Sequence, residues 1–211
     1  MPTFNLWRTF PADMTDHELE MMTVRSIGTT SWDASIRWQR SYGFDTPAGL
    51  EGFCVFEAAN GSEMARIQMM CAVPFLEVRE VVEALGANAG PGPDEPAPGR
   101  SLFLVERTFA PGHAREDVVT ANRAAESADV AWVRSFWHER SAASRCIFEA
   151  PSEAALAEAL SLSPATVGRA VLVSTNHPAN WADTYDRMGL RRHWETTEEG
   201  IDADVRNLAR V

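Results

Sequence analysis

Short runs rich in aromatic and aliphatic residues punctuate the chain, with longer mixed segments between them. "TFNLWRTF" near the start reads as a strand. Asp13 to Thr29 reads as a helix, opened by Thr15 with Glu18 three residues on, the spacing of a capping box. "SIRWQRSYGF" and "GFCVFEA" read as second and third strands, joined by a turn around Asp45 to Gly52. Ser62 to Cys71 reads as a second helix and Leu76 to Glu83 as a fourth strand. The order βαββαβ is the ferredoxin-like split motif.

The pattern then recurs. "FNLWRTFPADM" is echoed by "FLVERTFAPGH", "IRWQRSYGF" by "VAWVRSFWH", and Cys54, Phe56, Glu57 and Ala58 by Cys146, Phe148, Glu149 and Ala150. Pro74 pairs with Pro164, and "VREVV" with "VGRAV"; the offset falls gradually from 99 to 90 residues, as loops of changing length require. The second round has helices from about Ala114 to Ser127 and Ser152 to Leu160. The sequence therefore predicts an α+β fold of two tandem ferredoxin-like repeats, residues 1–85 and 100–175, packed as a single-chain dimeric α/β barrel. Residues 86–99, "GANAGPGPDEPAPG", hold four Gly and four Pro and read as a semi-rigid linker. Residues 176–211 form a tail with two short helices, around Ala179 to Met188 and Gly200 to Arg210, its apolar side carried by Trp181, Tyr185 and Trp194.

Charge and composition narrow the function. The 211 residues carry a net charge of −11, which disfavours nucleic acid and anionic membranes as partners. All 19 basic residues are Arg, so chemistry that needs a lysine amine is excluded. Three unpaired cysteines, no signal-like start and no apolar run of about 18 residues make a cytoplasmic protein the expectation. GxGxxG, phosphate-loop, GxSxG, HExxH and paired CxxC motifs are all missing.

What remains is polar residues on strands. Arg8 and Arg107 stand between aromatic residues on the first strand of each repeat. On the second strand, Trp38, Arg40 and Tyr42 are expected on one face, matched by Trp132, Arg134, Phe136 and His138. An arginine facing an enclosed space must pair, here with Glu57, Glu149 or Glu106, or else meet a ligand. The repeats differ where Glu106, Trp137 and His138 replace Trp7, Gly43 and Phe44, as a barrel holding one asymmetric ligand would require. Among the histidines, His17 shares a helix face with Asp13, and His113 lies in the matching loop of the second repeat. Cys54 and Cys146 are soft donors or small core residues.

"FLVERTFAPG", "AWVRSFW" and "RCIFEAPSEAAL" resemble a small bacterial domain family, described as actinobacterial nickel-binding proteins with a ferredoxin-like fold that dimerise. The resemblance spans roughly residues 1–175. It implies the fold, and nickel as the alternative cofactor. Members often carry a His in the second helix; the corresponding positions here are Ile67 and Ala157, so the nickel ligands do not carry over. The family's fold is similar to that of cofactor-free monooxygenases, isomerases and cyclases. The function expected is accordingly a cofactor-independent enzyme acting on a hydrophobic or aromatic small molecule inside the barrel. Trp38, Tyr42, Trp132, Phe136, Arg8, Cys54 and Cys146 would hold the substrate. Arg40, Arg107 and Arg134 would stabilise negative charge, and Glu106 and His138 would move a proton. The alternatives are a nickel-responsive protein and a non-catalytic ligand carrier. The chain is expected to be a monomer with an internal pseudo-dimer, open to further association.

Overall fold

The computed structural model describes residues 1–31, 35–162, 165–190 and 192–193. Pro164, Trp194 and the helix expected over Gly200 to Arg210 lie outside the described residues. The first half runs β1 (Thr3–Pro11), α1 (Asp16–Ser31), β2 (Ile36–Thr46), β3 (Gly49–Ala58), α2 (Gly61–Met70) and β4 (Glu77–Leu85). The second runs β5 (Ser101–Thr108), α3 (Arg115–Ala124), β6 (Ala131–His138), β7 (Ala143–Ala150), α4 (Glu153–Leu160) and β8 (Thr166–Asn176). A 3-10 turn, Pro178–Trp181, and the short helix α5 (Ala182–Arg187) follow. Thr15 caps α1 as expected: its hydroxyl accepts from the Glu18 amide at 3.3 Å, and the Glu18 carboxylate accepts from the Thr15 amide at 2.8 Å. Asn60 and Ser152 cap α2 and α4 in the same manner.

The fold is α+β, with eight antiparallel strands closed into one barrel in the order β1-β3-β2-β8-β5-β7-β6-β4. Each half contributes four consecutive strands, and the halves join where β2 meets β8 and β4 meets β6. Closure leaves no free sheet edge. No helix among the described residues is long and apolar enough to cross a membrane.

Strand alternation divides the apolar residues into three cores. Phe4, Leu6, Ile36, Trp38 and Phe56 point outward under α1 and α2; Phe103, Val105, Trp132, Trp137 and Phe148 do so under α3 and α4. Trp7, Tyr42, Phe44, Phe53, Leu104, Phe136 and Ile147 fill the barrel itself. Inside, ring centroids of Tyr42 and Phe53 are 5.0 Å apart and those of Phe53 and Phe136 5.6 Å. The interior is a packed core here, so the substrate cavity expected inside the barrel is not where the open space lies.

A bulge corrects the expected faces of β2 and β6. Register shifts between Trp38 and Arg40, and between Trp132 and Arg134. The extra residue turns Trp38 and Trp132 outward while Arg40, Tyr42, Arg134 and Phe136 stay inward. Each outward indole donates to a serine three residues on: Trp38 to Ser41 at 3.0 Å, and Trp132 to Ser135 at 2.8 Å.

The Gly/Pro-rich segment is largely exposed but sends one side chain into the core, which its composition did not announce. A Cβ on Gly86 would lie 1.9 Å from the Trp132 carbonyl oxygen, so the chain leaves β4 through a gap only glycine fits. The segment then drops Asp94 into the barrel. Arg40 Nη1 reaches this carboxylate at 3.1 Å, and Arg134 grips it through Nε at 2.9 Å and Nη2 at 2.6 Å. Tyr42 donates its hydroxyl to the same group. The Gly90 and Gly92 carbonyls accept further bonds from Arg134 and Arg40. Burial alone would raise the Asp94 carboxyl; Arg134 and Arg40 outweigh it and hold it below its ordinary value. Removing one partner of such a buried set strands the others. Asp94→Ala is expected to cost about 3–5 kcal/mol in urea unfolding. A loss under about 1 kcal/mol, the scale of an exposed ion pair, would show that Asp94 is not holding the barrel.

Candidate functional site

The twelve residues singled out by sequence fall into four places. Arg40, Tyr42 and Arg134 bind Asp94 at one end of the barrel. The Tyr42 phenol is pushed well above its usual value by burial and then by the Asp94 charge, so it stays protonated as a donor. Along β4 and β6, toward the other end, Glu106, Phe136 and His138 line a small cavity of about 190 Å³. Glu106 is held there by Arg145 at 3.4 Å and by Arg169 at 3.1 Å. Arg8, Trp38 and Cys54 lie outside the barrel under α1; Arg107, Trp132 and Cys146 lie outside it in the second half.

The open space is under α1. A cavity of about 550 Å³ separates this helix from the outward face of the first half. Its floor is Arg8 and Phe10 of β1, Trp38 and Ser41 of β2, and Cys54 and Phe56 of β3; its roof is Leu19, Met22, Thr23 and Ser26. Asn176, Asn180 and Trp181 close one end, so the tail builds a wall of the pocket. Trp181 is steered by its indole N–H, which donates to Asn176 Oδ1 at 2.8 Å. His177 fixes this turn. Its Nδ1 accepts from the Ala179 amide at 3.1 Å, so Nε2 carries the proton toward the Pro91 carbonyl oxygen, also 3.1 Å away. Burial and then Arg40 push the His177 pKa down to about 4, which keeps the ring neutral.

Arg8 gives the floor its charge. Its Nη1 donates to the carbonyls of Val73 and Pro74, at 3.3 and 2.8 Å, its Nη2 to the Gln68 side chain, and its Nε to Cys54 Sγ at 3.4 Å. Those partners are all neutral, and Arg8 meets no carboxylate among the described residues. A buried cation with only dipolar partners attracts an oxygen that carries or develops negative charge.

The same space in the second half is closed. The offset of 99 that takes Phe10 to Phe109 takes Leu19, Met22, Thr23 and Ser26 to Val118, Ala121, Asn122 and Ala125. The first four are half-buried, whereas the second four are fully buried. Small side chains let α3 settle onto the sheet, where Asn122 accepts from Arg107 at 2.8 Å and donates to Ser135 at 2.6 Å. Counting from the caps Asn60 and Ser152, Leu160 stands where the first half has Gln68. Arg107 Nε and Nη2 have no partner among the described residues, and burial pulls the guanidinium below its ordinary value. Sequence reading missed Thr23, Ser26, Asn180, Trp181 and Asp94. For Ser26 the signal was available, as a polar residue at a helix position whose counterpart is Ala125.

Among the described residues, no group of three or more His, Cys, Asp or Glu could hold a metal ion. Ile67, at the position where the resembling family carries a His, is packed in the core.

No family model matches the chain, and no curated protein matches it. Solved structures do. A "putative monooxygenase" from Lactobacillus acidophilus NCFM aligns at 10% identity over 83% of this chain and 93% of that chain, with a TM-score of 0.45. A "putative monooxygenase" from Fusobacterium nucleatum aligns at 6% identity over 83% and 94%, with a TM-score of 0.47. An anthrone oxidase-like protein aligns at 11% identity over 84% and 94%, with a TM-score of 0.37. At these identities no residue carries over from any of them, and the site must be read from its own geometry.

The two arginines provide a test. Arg8→Met strands Gln68 and two carbonyls and is expected to cost about 1–3 kcal/mol. Arg107→Met removes a guanidinium with two unpartnered N–H groups and is expected to be neutral or stabilising in the same urea titration. Equal losses would contradict the contrast between the halves.

Proposed function

We propose that the chain is a cofactor-independent enzyme whose substrate, a hydrophobic aromatic molecule with an acidic hydroxyl or enolisable carbonyl, binds under α1. The two halves descend from a duplication, and only the first kept its sheet-to-helix space as a working pocket. The observation that carries this reading is the asymmetry itself: a cavity of about 550 Å³ over Arg8, against close packing over Arg107. That volume suits a molecule of two to four fused rings. Phe10, Trp38, Phe56 and Trp181 offer flat apolar walls, and Ser41 and Asn176 are spoken for by the two indoles. Arg8 would stabilise the oxyanion form of the substrate bound against the pocket floor. The substrate supplies its own reactive electrons in cyclase, isomerase or monooxygenase chemistry, dioxygen being the oxidant in the last case. Glu106 and His138, on the inner side of the sheet, take no part in this pocket.

Titration of tryptophan fluorescence with 9-phenanthrol, and with phenanthrene as the control lacking a hydroxyl, tests the reading. Saturable quenching is expected for both, with the phenol tighter. Thr23→Phe, which fills the roof, should weaken both at least about tenfold, equivalent to 1.4 kcal/mol. Arg8→Met should remove the preference for the phenol. Quenching that ignores Thr23→Phe would place binding elsewhere.

A further inference from the structure

The barrel end away from Asp94 contains a second, unrelated arrangement. Asn5 points inward from β1, between the outward Phe4 and Leu6, and is 1% exposed. Neither its Oδ1 nor its Nδ2 has a hydrogen-bond partner among the described residues. A buried amide left wholly unpaired costs on the order of several kcal/mol, so a protein retains one only where something answers it. Asn5 lines the cavity of about 190 Å³ that also meets Arg79, Arg145, His138 and Glu106.

Charge says what could answer it. Two guanidinium groups face this cavity: Arg79, which Glu77 pairs, and Arg145; Arg107 also lines it but gives its Nη1 to Asn122, and the lining carboxylate, Glu106, is shared with Arg169. Arg145 is 13% exposed at its side chain and stacks 4.4 Å from the Trp7 ring centroid. Its carboxylates stand off at 3.4 Å, from Glu106, and 3.7 Å, from Glu77. Burial, and then Arg79, hold His138 below its ordinary pKa. His138 Nδ1 is taken by Ser141 at 2.5 Å.

We propose that this end of the barrel is a binding site for a small oxyanion that carries one proton, such as hydrogen carbonate or a hydrogen phosphate. The anion's oxygens accept from Asn5 Nδ2 and from the arginines, and its O–H donates to Asn5 Oδ1. One ligand thereby pairs both ends of the amide and gives Arg145, whose own carboxylates stand off at 3.4 and 3.7 Å, a closer acceptor. The site is separated from the α1 pocket by the sheet and does not depend on it.

Thermal unfolding and calorimetric titration of the full chain with phosphate, hydrogen carbonate and formate, at constant ionic strength set with chloride, test the site. Phosphate or hydrogen carbonate should raise the midpoint with concentration, as a ligand selective for the folded state does, and formate, which has no O–H to donate, should do so less. Asn5→Leu should abolish the effect. Asn5→Asp, which keeps the shape and repels an anion, should abolish it too, so a folding failure of either variant leaves the other as the test. Arg145→Gln should weaken binding at least tenfold. No heat and no shift with any of the three anions, together with an Asn5→Leu variant more stable than the parent, would overturn the proposal and leave water as the partner of Asn5. An equal shift in the variants would overturn it as well.

Discussion

Two guanidinium groups, Arg40 from one half and Arg134 from the other, meet inside the barrel, and Glu83 of β4 reaches only Arg134, at 2.7 Å. At about 4 Å and an effective dielectric of 20, two like charges repel by roughly 4 kcal/mol. Asp94 removes that repulsion, and it comes from the segment that joins the halves. The connection is therefore a structural member whose one buried carboxylate lets both bulged strands keep an arginine inside. It also fixes much else. The Asp94 carbonyl accepts from Thr175, and His177 reaches Pro91, so the tail is tied to the same segment. The turn that places Asn180 and Trp181 at the α1 pocket depends on that tie.

With its centre filled by Tyr42, Phe53 and Phe136 and one end stopped by Asp94, the barrel leaves the space for an aromatic ligand outside, between sheet and helix. The halves then part by simple means. Val118, Ala121 and Ala125 let α3 lie against the sheet, whereas Leu19, Met22 and Ser26 hold α1 off it. Gln68 answers Arg8 where Leu160 leaves Arg107 unanswered. Such changes are few, and each acts through packing or hydrogen bonding that the coordinates show directly.

The element order was legible because capping residues and aromatic runs mark their own boundaries, as Thr15 with Glu18 does for α1. The faces of β2 and β6 were not. A bulge adds a residue without changing composition, so a period of two carried from Trp38 to Arg40 gives the wrong side. Asp94 was hidden for a different reason. Local signals in a run of glycine and proline describe a loop, and nothing local reveals a loop side chain paired with residues 40 or more positions away. Arg8, Trp38 and Cys54 were identified as ligand residues and do share a pocket, while their counterparts Arg107, Trp132 and Cys146 lie where that pocket is closed. Comparing α1 with α3 position by position would have separated the two sets.

The central claim is that the aromatic substrate of this chain sits under α1 and not in the middle of the barrel. Photo-cross-linking with a hydroxylated benzophenone, followed by peptide mapping, tests it most directly. The account predicts attachment to the peptides holding Leu19 to Ser26 and Asn176 to Trp181, competed away by 9-phenanthrol. Attachment centred on α3, or on the inward residues Tyr42, Phe53 and Phe136, would contradict it.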